Sequence, residues 1–226
     1  MQRIIQNTFS ITAYLGSKTY INTLVVDNGK LHQFYDKDNG GKCSPDWTVA
    51  SNQPKFHFEC RTTDGTLQPI ELNENLKLYY NGTAVTFSGN VSTGTLLAGM
   101  FKYEDIGGVR YYTICKNVAT ASNIDNDSLR IEGQILTEGN NLETVSTPMA
   151  TIHVIPITSG GSAYFMEIDA PAIQKDAKST KIKAMLYKSD GNGEITSGES
   201  WNWKRLDGDT YTQVGTAQTL TVPAAD

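Results

Sequence analysis

The sequence predicts an all-β protein of the sandwich type, and three observations carry the prediction. Turn signals recur at short intervals, at Asp27-Asn28-Gly29, Asp38-Asn39-Gly40-Gly41, Asp64-Gly65, Asn81-Gly82, Gly107-Gly108, Gly160-Gly161, Asp190-Gly191-Asn192-Gly193 and Asp207-Gly208-Asp209. Such clusters supply the positive φ angles that tight turns need. Between them run short segments of period two: Phe9, Ile11, Ala13 and Leu15 alternate with Ser10, Thr12 and Tyr14; Leu129, Ile131, Gly133 and Ile135 alternate with Arg130, Glu132 and Gln134. A strand with one face on a core and one in water reads this way. The composition agrees: 20 Gly, 11 Tyr against 7 Phe, and only 19% charged residues, a profile of turns and pleated surface rather than of helix. No window sustains a 3.6-residue period, so helices should be limited to single turns.

Three segments follow in order. Residues 1–47 read as an N-terminal β-hairpin arm, with Asp27-Asn28-Gly29 closing a hairpin between Leu24-Val25-Val26 and Leu31-His32-Gln33-Phe34. Residues 48–146 hold candidate strands near 56–60, 67–72, 76–80, 84–87, 96–103, 109–116 and 128–136, the number a sandwich needs. Residues 147–226 hold a crossing strand from Thr151 to Ile155 and further strands near 163–168, 180–187, 200–205, 210–214 and 218–222. In the strand at 180–187, Ile182, Ala184 and Leu186 mark the core face, while Lys181 and Lys183 mark the solvent face.

Charge and chemistry narrow the function classes. The net charge is −5, and no basic stripe of the kind that neutralises phosphates is present, so nucleic acid is not an expected partner. No run approaches the roughly 20 apolar residues of a membrane helix, and the N-terminus lacks an apolar run of signal-peptide length. Synthesis in a cytoplasm is expected, unless a leader has been trimmed. Cys43, Cys60 and Cys115 are odd in number and irregular in spacing, which favours three free thiols over a Cys60–Cys115 bridge. His32, His57 and His153 are widely separated, each within a strand-like run. Without a GxSxG elbow or a Cys/His signature they read as ordinary strand residues, and no catalytic residue is expected.

Metal and cofactor sites are likewise not expected. Asp190-Gly191-Asn192-Gly193-Glu194 places oxygens at alternate positions as a calcium loop begins, but Ile195 and Trp201 stand where an EF-hand needs Gly and Glu. It reads as a hairpin turn, as do Asp36/Asp38 and Asp125/Asp127. The aromatics offer more. Trp201 and Trp203, two apart on one expected strand, share a face. Tyr111 and Tyr112 put one ring on each side of theirs. One Trp suits a sandwich core; an exposed pair would form a stacking platform for a sugar ring or a partner's side chain. Trp201, Trp203, Tyr111 and Tyr112 are therefore the candidate binding residues.

The runs Leu76-Lys77-Leu78-Tyr79-Tyr80-Asn81-Gly82-Thr83, Gly94-Thr95-Leu96-Leu97-Ala98-Gly99-Met100-Phe101 and Thr113-Ile114-Cys115-Lys116-Asn117-Val118-Ala119 resemble immunoglobulin-like modules of phage and prophage proteins from gut Bacteroidales. Ser44-Pro45-Asp46-Trp47-Thr48 looks like the joint before such a sandwich, and Asn123 to Gly133 like the strand that closes it. Trp201 to Leu206 and Thr219 to Val222 look like strands C and E of a further immunoglobulin-like unit. The resemblance implies immunoglobulin-like β-sandwich modules in a non-enzymatic structural or host-attachment protein of the virion. Its partners would be other virion proteins, copies of itself and a host-surface glycan. It implies no catalytic residues. A bacterial surface adhesin or carbohydrate-binding module is the alternative.

In such a unit strands F and G follow E and flank C, whereas here the E-like run is followed only by Pro223-Ala224-Ala225-Asp226. The C-terminal module therefore reads as incomplete, with strand 200–205 finding its neighbours elsewhere. The N-terminal arm of a neighbouring copy is one expected donor; residues 151–155 or 163–168 of the same chain are the other.

Overall fold

The computed structural model describes residues 20–62, 65–67, 75–137, 140–158, 162–170, 178–190 and 193–223. Of these, 59% are in strands and 2% in helix, so the expectation of an all-β sandwich holds. The described chain forms two compact units, one up to residue 161 and one from Ser162 onward.

Among the described residues the first unit contains thirteen strands: β1 (Tyr20–Asn28), β2 (His32–Asp36), β3 (Lys42–Ser44), β4 (Lys55–Thr62), β5 (Lys77–Tyr80), β6 (Thr83–Ala84), β7 (Phe87–Ser88), β8 (Val91–Ser92), β9 (Phe101–Ile106), β10 (Val109–Ile114), β11 (Asp127–Leu136), β12 (Leu142–Ser146) and β13 (Ala150–Ile157). One sheet has the order β1-β4-β10-β9-β8-β7; the other has the order β3-β2-β13-β11-β5-β6, with β12 also beside β11. These are more strands than the seven to nine of an immunoglobulin domain, and β2 and β13 run parallel.

Period-two strands build the core. Phe56, Phe58 and Cys60 of β4 face Leu129, Ile131 and Ile135 of β11 across a shared interior with Leu78, Phe101, Tyr112, Ile114 and Ile152. Each such side chain, fully buried, contributes about 1.5–3 kcal/mol. Trp47, in the turn after β3, is 0% exposed and a member of this cluster. The segment expected to be a joint therefore supplies the core's tryptophan. β12 and β13 lie along one edge of β11, either side of Thr147, whose N–H donates to Ile131 O (2.9 Å) and whose Oγ1 accepts from Ile131 N (3.1 Å). Pro148, which has no N–H to donate, follows at the kink.

Several sequence-based assignments change here. The hairpin expected across Asp27-Asn28-Gly29 is instead a corner between sheets: β1 pairs with β4, and β2 pairs with β13 and β3. Gly29 takes φ +71° there, and a Cβ on it would stand 2.9 Å from Pro54 Cα. Residues 20–47 thus belong to the sandwich rather than to a separate arm, and β13 belongs to it rather than to a C-terminal module. The expected strand at 67–72 falls mostly outside the described residues, with Leu67 forming a single bridge to Arg61. Residues 97–100 are turn, and the strand expected from 96 starts at Phe101.

The second unit comprises β14 (Tyr164–Asp169), β15 (Ser179–Lys188), β16 (Glu194–Ile195), β17 (Trp203–Asp207), β18 (Thr210–Gly215) and β19 (Thr219–Pro223). β15 is central, with β14 on one edge and β16 and β19 on the other. β17 pairs with β18 in a two-stranded ribbon, so the strand expected at 200–205 finds its neighbour within the chain. The 163–168 segment fills a place beside β15, not beside β17. Ile182, Ala184 and Trp203 form the core, flanked by Ile168, Trp201, Leu220 and Val222.

Candidate functional site

Three loops of the first unit converge on a cleft of about 690 Å³, and each is fixed by a buried polar side chain. The first is the Asn81-Gly82 turn between β5 and β6. Asn81 adopts φ +48° and Gly82 φ +76°, the left-handed pair that a two-residue hairpin demands and that Asn and Gly tolerate best. The turn is tied to the start of β11 twice: Asn81 N donates to Ser128 O (3.0 Å), and Asn81 Oδ1 accepts from Ser128 N (2.8 Å).

Asp127 sits beneath that turn, 3% exposed. Its carboxylate accepts from Asn81 Nδ2 (2.7 Å), Asn123 Nδ2 (3.0 Å) and the Tyr80 hydroxyl. Burial first, and the Asp127 hydrogen bond and charge second, push the Tyr80 hydroxyl's pKa up, so it stays a donor. No Lys, Arg or His among the described residues pairs with Asp127; three neutral donors replace the water that burial removed.

The second loop runs from Thr93 to Met100. Ala98 N donates to Gly94 O (3.0 Å), Met100 N to Leu97 O (2.9 Å) and Gly99 N to Ser92 O (2.8 Å). Ser92 is buried, and its Oγ donates to Leu97 O while accepting from Phe101 N (2.9 Å). The loop is thereby folded on itself, yet Leu96 at its tip is 88% exposed.

The third loop, residues 117–123, rests on Gln33. This side chain is 0% exposed; its Oε1 accepts from Val118 N (3.0 Å) and Ala119 N (3.2 Å), and its Nε2 donates to Pro45 O (3.0 Å) and Asn117 Oδ1 (2.6 Å). Asn117 Oδ1 also accepts from Trp47 N (2.7 Å), and its Nδ2 donates to Asp46 Oδ1 (2.9 Å). Hydrogen bonds from Thr48 and Asn117 hold the Asp46 carboxyl below its usual range.

The resulting cleft is lined by Thr83, Thr86, Thr93, Thr95 and Thr120, an aliphatic wall of Leu96, Leu97, Met100 and Val118, and Asp127 as its charged residue. Hydroxyls both donate and accept, so they suit an uncharged ligand. A concave, largely apolar surface with a few fixed polar groups is the usual form of a binding site. Asp127 is engaged by two side-chain amides and a phenol.

None of the four residues singled out by sequence lines this cleft. Trp203 is 8% exposed, with its Nε1 donating to Ala217 O (2.7 Å), and Tyr112 is 1% exposed inside the sandwich. Both are core residues, because each sits at the inward position of its strand. Trp201 is half-buried against the same small core and precedes β17. Tyr111 is half-buried on the outer face of its sheet, 5.0 Å from the His57 ring and 4.7 Å from Lys55 Nζ. The expected platform is therefore not formed.

His57 Nδ1 lies 2.7 Å from Asp27 Oδ2, and His153 pairs in register with His32, so all three histidines are strand residues. Asp36 Oδ1 accepts from Asp38 N (3.2 Å) and Asn39 N (3.1 Å), a turn as expected. Gly191 and Asn192 of the calcium-like run lie outside the described residues, while Glu194 engages Lys183 (2.9 Å) and Gln218 (2.6 Å). Among the described residues no group of three or more His, Cys, Asp or Glu could hold a metal. Of the cleft, only the Asn81-Gly82 turn was visible in the sequence, whereas the loop over residues 96–100 was expected to be strand. No family model matches the chain, and no curated protein matches it.

Proposed function

We propose that this chain is a non-enzymatic structural or attachment protein of a bacteriophage or prophage virion, working by protein–protein or protein–glycan contact. The observation that carries the reading is the cleft. Rigid β-scaffolding holds three loops in place, and the one carboxylate they surround is immobilised by Tyr80, Asn81 and Asn123. Such a surface suits binding, since pre-positioned loops reduce the ordering cost of association. The resemblance of the Leu76 to Ala119 runs to virion modules supports the location.

Quantitative mass spectrometry of purified particles tests it. Peptides such as those of β4 and β11 should co-purify with the particle at a fixed ratio to the capsid protein. Recovery in the host envelope fraction, with none in particles, would replace this reading with that of a bacterial surface adhesin.

A further inference from the structure

We propose that the free edge of β18 pairs antiparallel with the same edge of a second copy of this chain, so that two ribbons merge into one four-stranded sheet. The first argument is the edge itself. β17 and β18 form a sheet of two strands, and the backbone of residues 210–215 makes no hydrogen bond to a described residue outside that pairing. One side of β18 is therefore a row of N–H and C=O groups that another strand can use. A two-stranded ribbon is marginal in water, and further strands stabilise it.

The two edges of the ribbon are not alike. β17 carries Lys204, Arg205 and Asp207, charges of the kind that keep strands from docking. β18 reads Thr-Tyr-Thr-Gln-Val-Gly, without charge or proline, and five of its six residues are exposed. A two-fold axis at Thr212 sets that residue opposite Thr212 of the second copy, Tyr211 opposite the second copy's Gln213, and Thr210 opposite its Val214. Thr–Thr pairs are favourable across strands, and aromatic rings on a diagonal reach each other. Tyr211, 66% exposed, and its cross-strand neighbour Leu206, 57% exposed, lie on one face of the ribbon. The merged sheet gathers two copies of each into a single apolar patch.

Charge complementarity selects the occupant and its direction. Arg205 pairs with Asp207 (3.5 Å), which leaves Lys204 at the base of the ribbon and Asp209 at its tip without an ion-pair partner among the described residues. Antiparallel pairing lays the base of each ribbon beside the tip of the other, with Lys204 toward the second copy's Asp209. Parallel pairing would set like charges side by side. A second copy supplies the complement twice, once at each end of the joined strands. An edge of six residues makes a small interface, below about 1,200 Å², so a dissociation constant of about 10–100 μM is expected.

Sedimentation velocity on the full-length chain, from about 1 to about 500 μM, tests it. The wild-type chain should pass from monomer to dimer and no further. Thr212→Lys puts two like charges on the axis and should weaken the dimer at least about tenfold. Thr212 is exposed, so the variant should keep the wild-type melting temperature. Lys204→Glu should weaken the dimer about threefold, and adding Asp209→Lys to it should restore the wild-type affinity. A wild-type chain that stays monomeric throughout overturns the proposal, because the edge is then closed within one chain. Association that survives Thr212→Lys overturns it as well, by placing the contact on another surface. A charge-swapped double variant no tighter than Lys204→Glu overturns the antiparallel arrangement. The virion reading rests on the cleft of the first unit and stands or falls separately.

Discussion

Gln33 and Asn117, 84 residues apart in sequence, meet in a 2.6 Å hydrogen bond that fixes one wall of the cleft to the second strand of the sandwich. Gln33 uses both ends of its amide, since its oxygen also serves Val118 N and Ala119 N. Replacing it by leucine keeps the volume but strands two buried amides, at about 1–3 kcal/mol each. Gln33→Leu should therefore lower the melting temperature by roughly 5–15 °C. An unchanged melting temperature would mean that water or a shifted loop takes over both amides.

Gly133 occupies an inward position of β11, between Ile131 and Ile135, and Leu76 fills the space its missing side chain leaves. A Cβ there would stand 2.5 Å from Leu76 Cδ2. Gly133→Ala should destabilise the fold by about 1–3 kcal/mol through overpacking. The same change made with Leu76→Ala should cost clearly less, because the clash is gone. Additive losses in the urea-unfolding cycle would show that backbone conformation, not Leu76, excludes a side chain.

These two residues also show what the sequence revealed and what it hid. The alternation of Leu129, Ile131, Gly133 and Ile135 announced β11 and its buried face, because a half-buried strand imposes period two on its own residues. Nothing local announced that Leu76 would fill the gap or that Gln33 would hold residues 118 and 119. Those are pairings between distant segments. The same limit explains Asp27-Asn28-Gly29: turn chemistry specifies positive φ but not which sheet the next strand joins. It explains Trp47 as well, whose burial depends on two sheets closing over a loop.

His32 is 2% exposed, and burial, with smaller contributions from Lys30 and His153, lowers its pKa to about 4 from 6.5. The unfolded chain therefore binds the extra proton first, and between those values acid favours unfolding. Stability should be complete above pH 6.5 and fall as pH drops toward 4, by up to about 3 kcal/mol from this group. His32→Gln should flatten that limb of the stability–pH curve. Parallel curves for the two proteins would show that His32 does not titrate in this way.

All three thiols are free, and burial raises each pKa, to about 11 for Cys43 and Cys60. At pH 8 only about 0.1% of such a thiol is thiolate. A thiol reagent should label half-buried Cys115 first, with Cys43 and Cys60 following at the rate of unfolding. Three equal, fast phases would contradict the burial of the latter two.

Trp203 and Trp201 divide the aromatic load of the second unit unequally. Trp203 is 8% exposed, anchors its indole to Ala217 O and packs with Ile182 and Ala184; Trp201 covers the same cluster from outside. The ribbon that Trp203 begins is otherwise exposed along its length, so this one side chain is its main tie to a core. Removing it deletes the largest member of a three-residue core, at about 3–5 kcal/mol. Hydrogen exchange read by mass spectrometry separates the units. In Trp203→Ala, peptides covering residues 179–188 and 219–223 should lose protection while those covering 127–136 keep theirs. Trp201→Ala should produce the same pattern at smaller amplitude. Equal protection in both variants and the wild-type chain would show that Trp203 does not anchor this core.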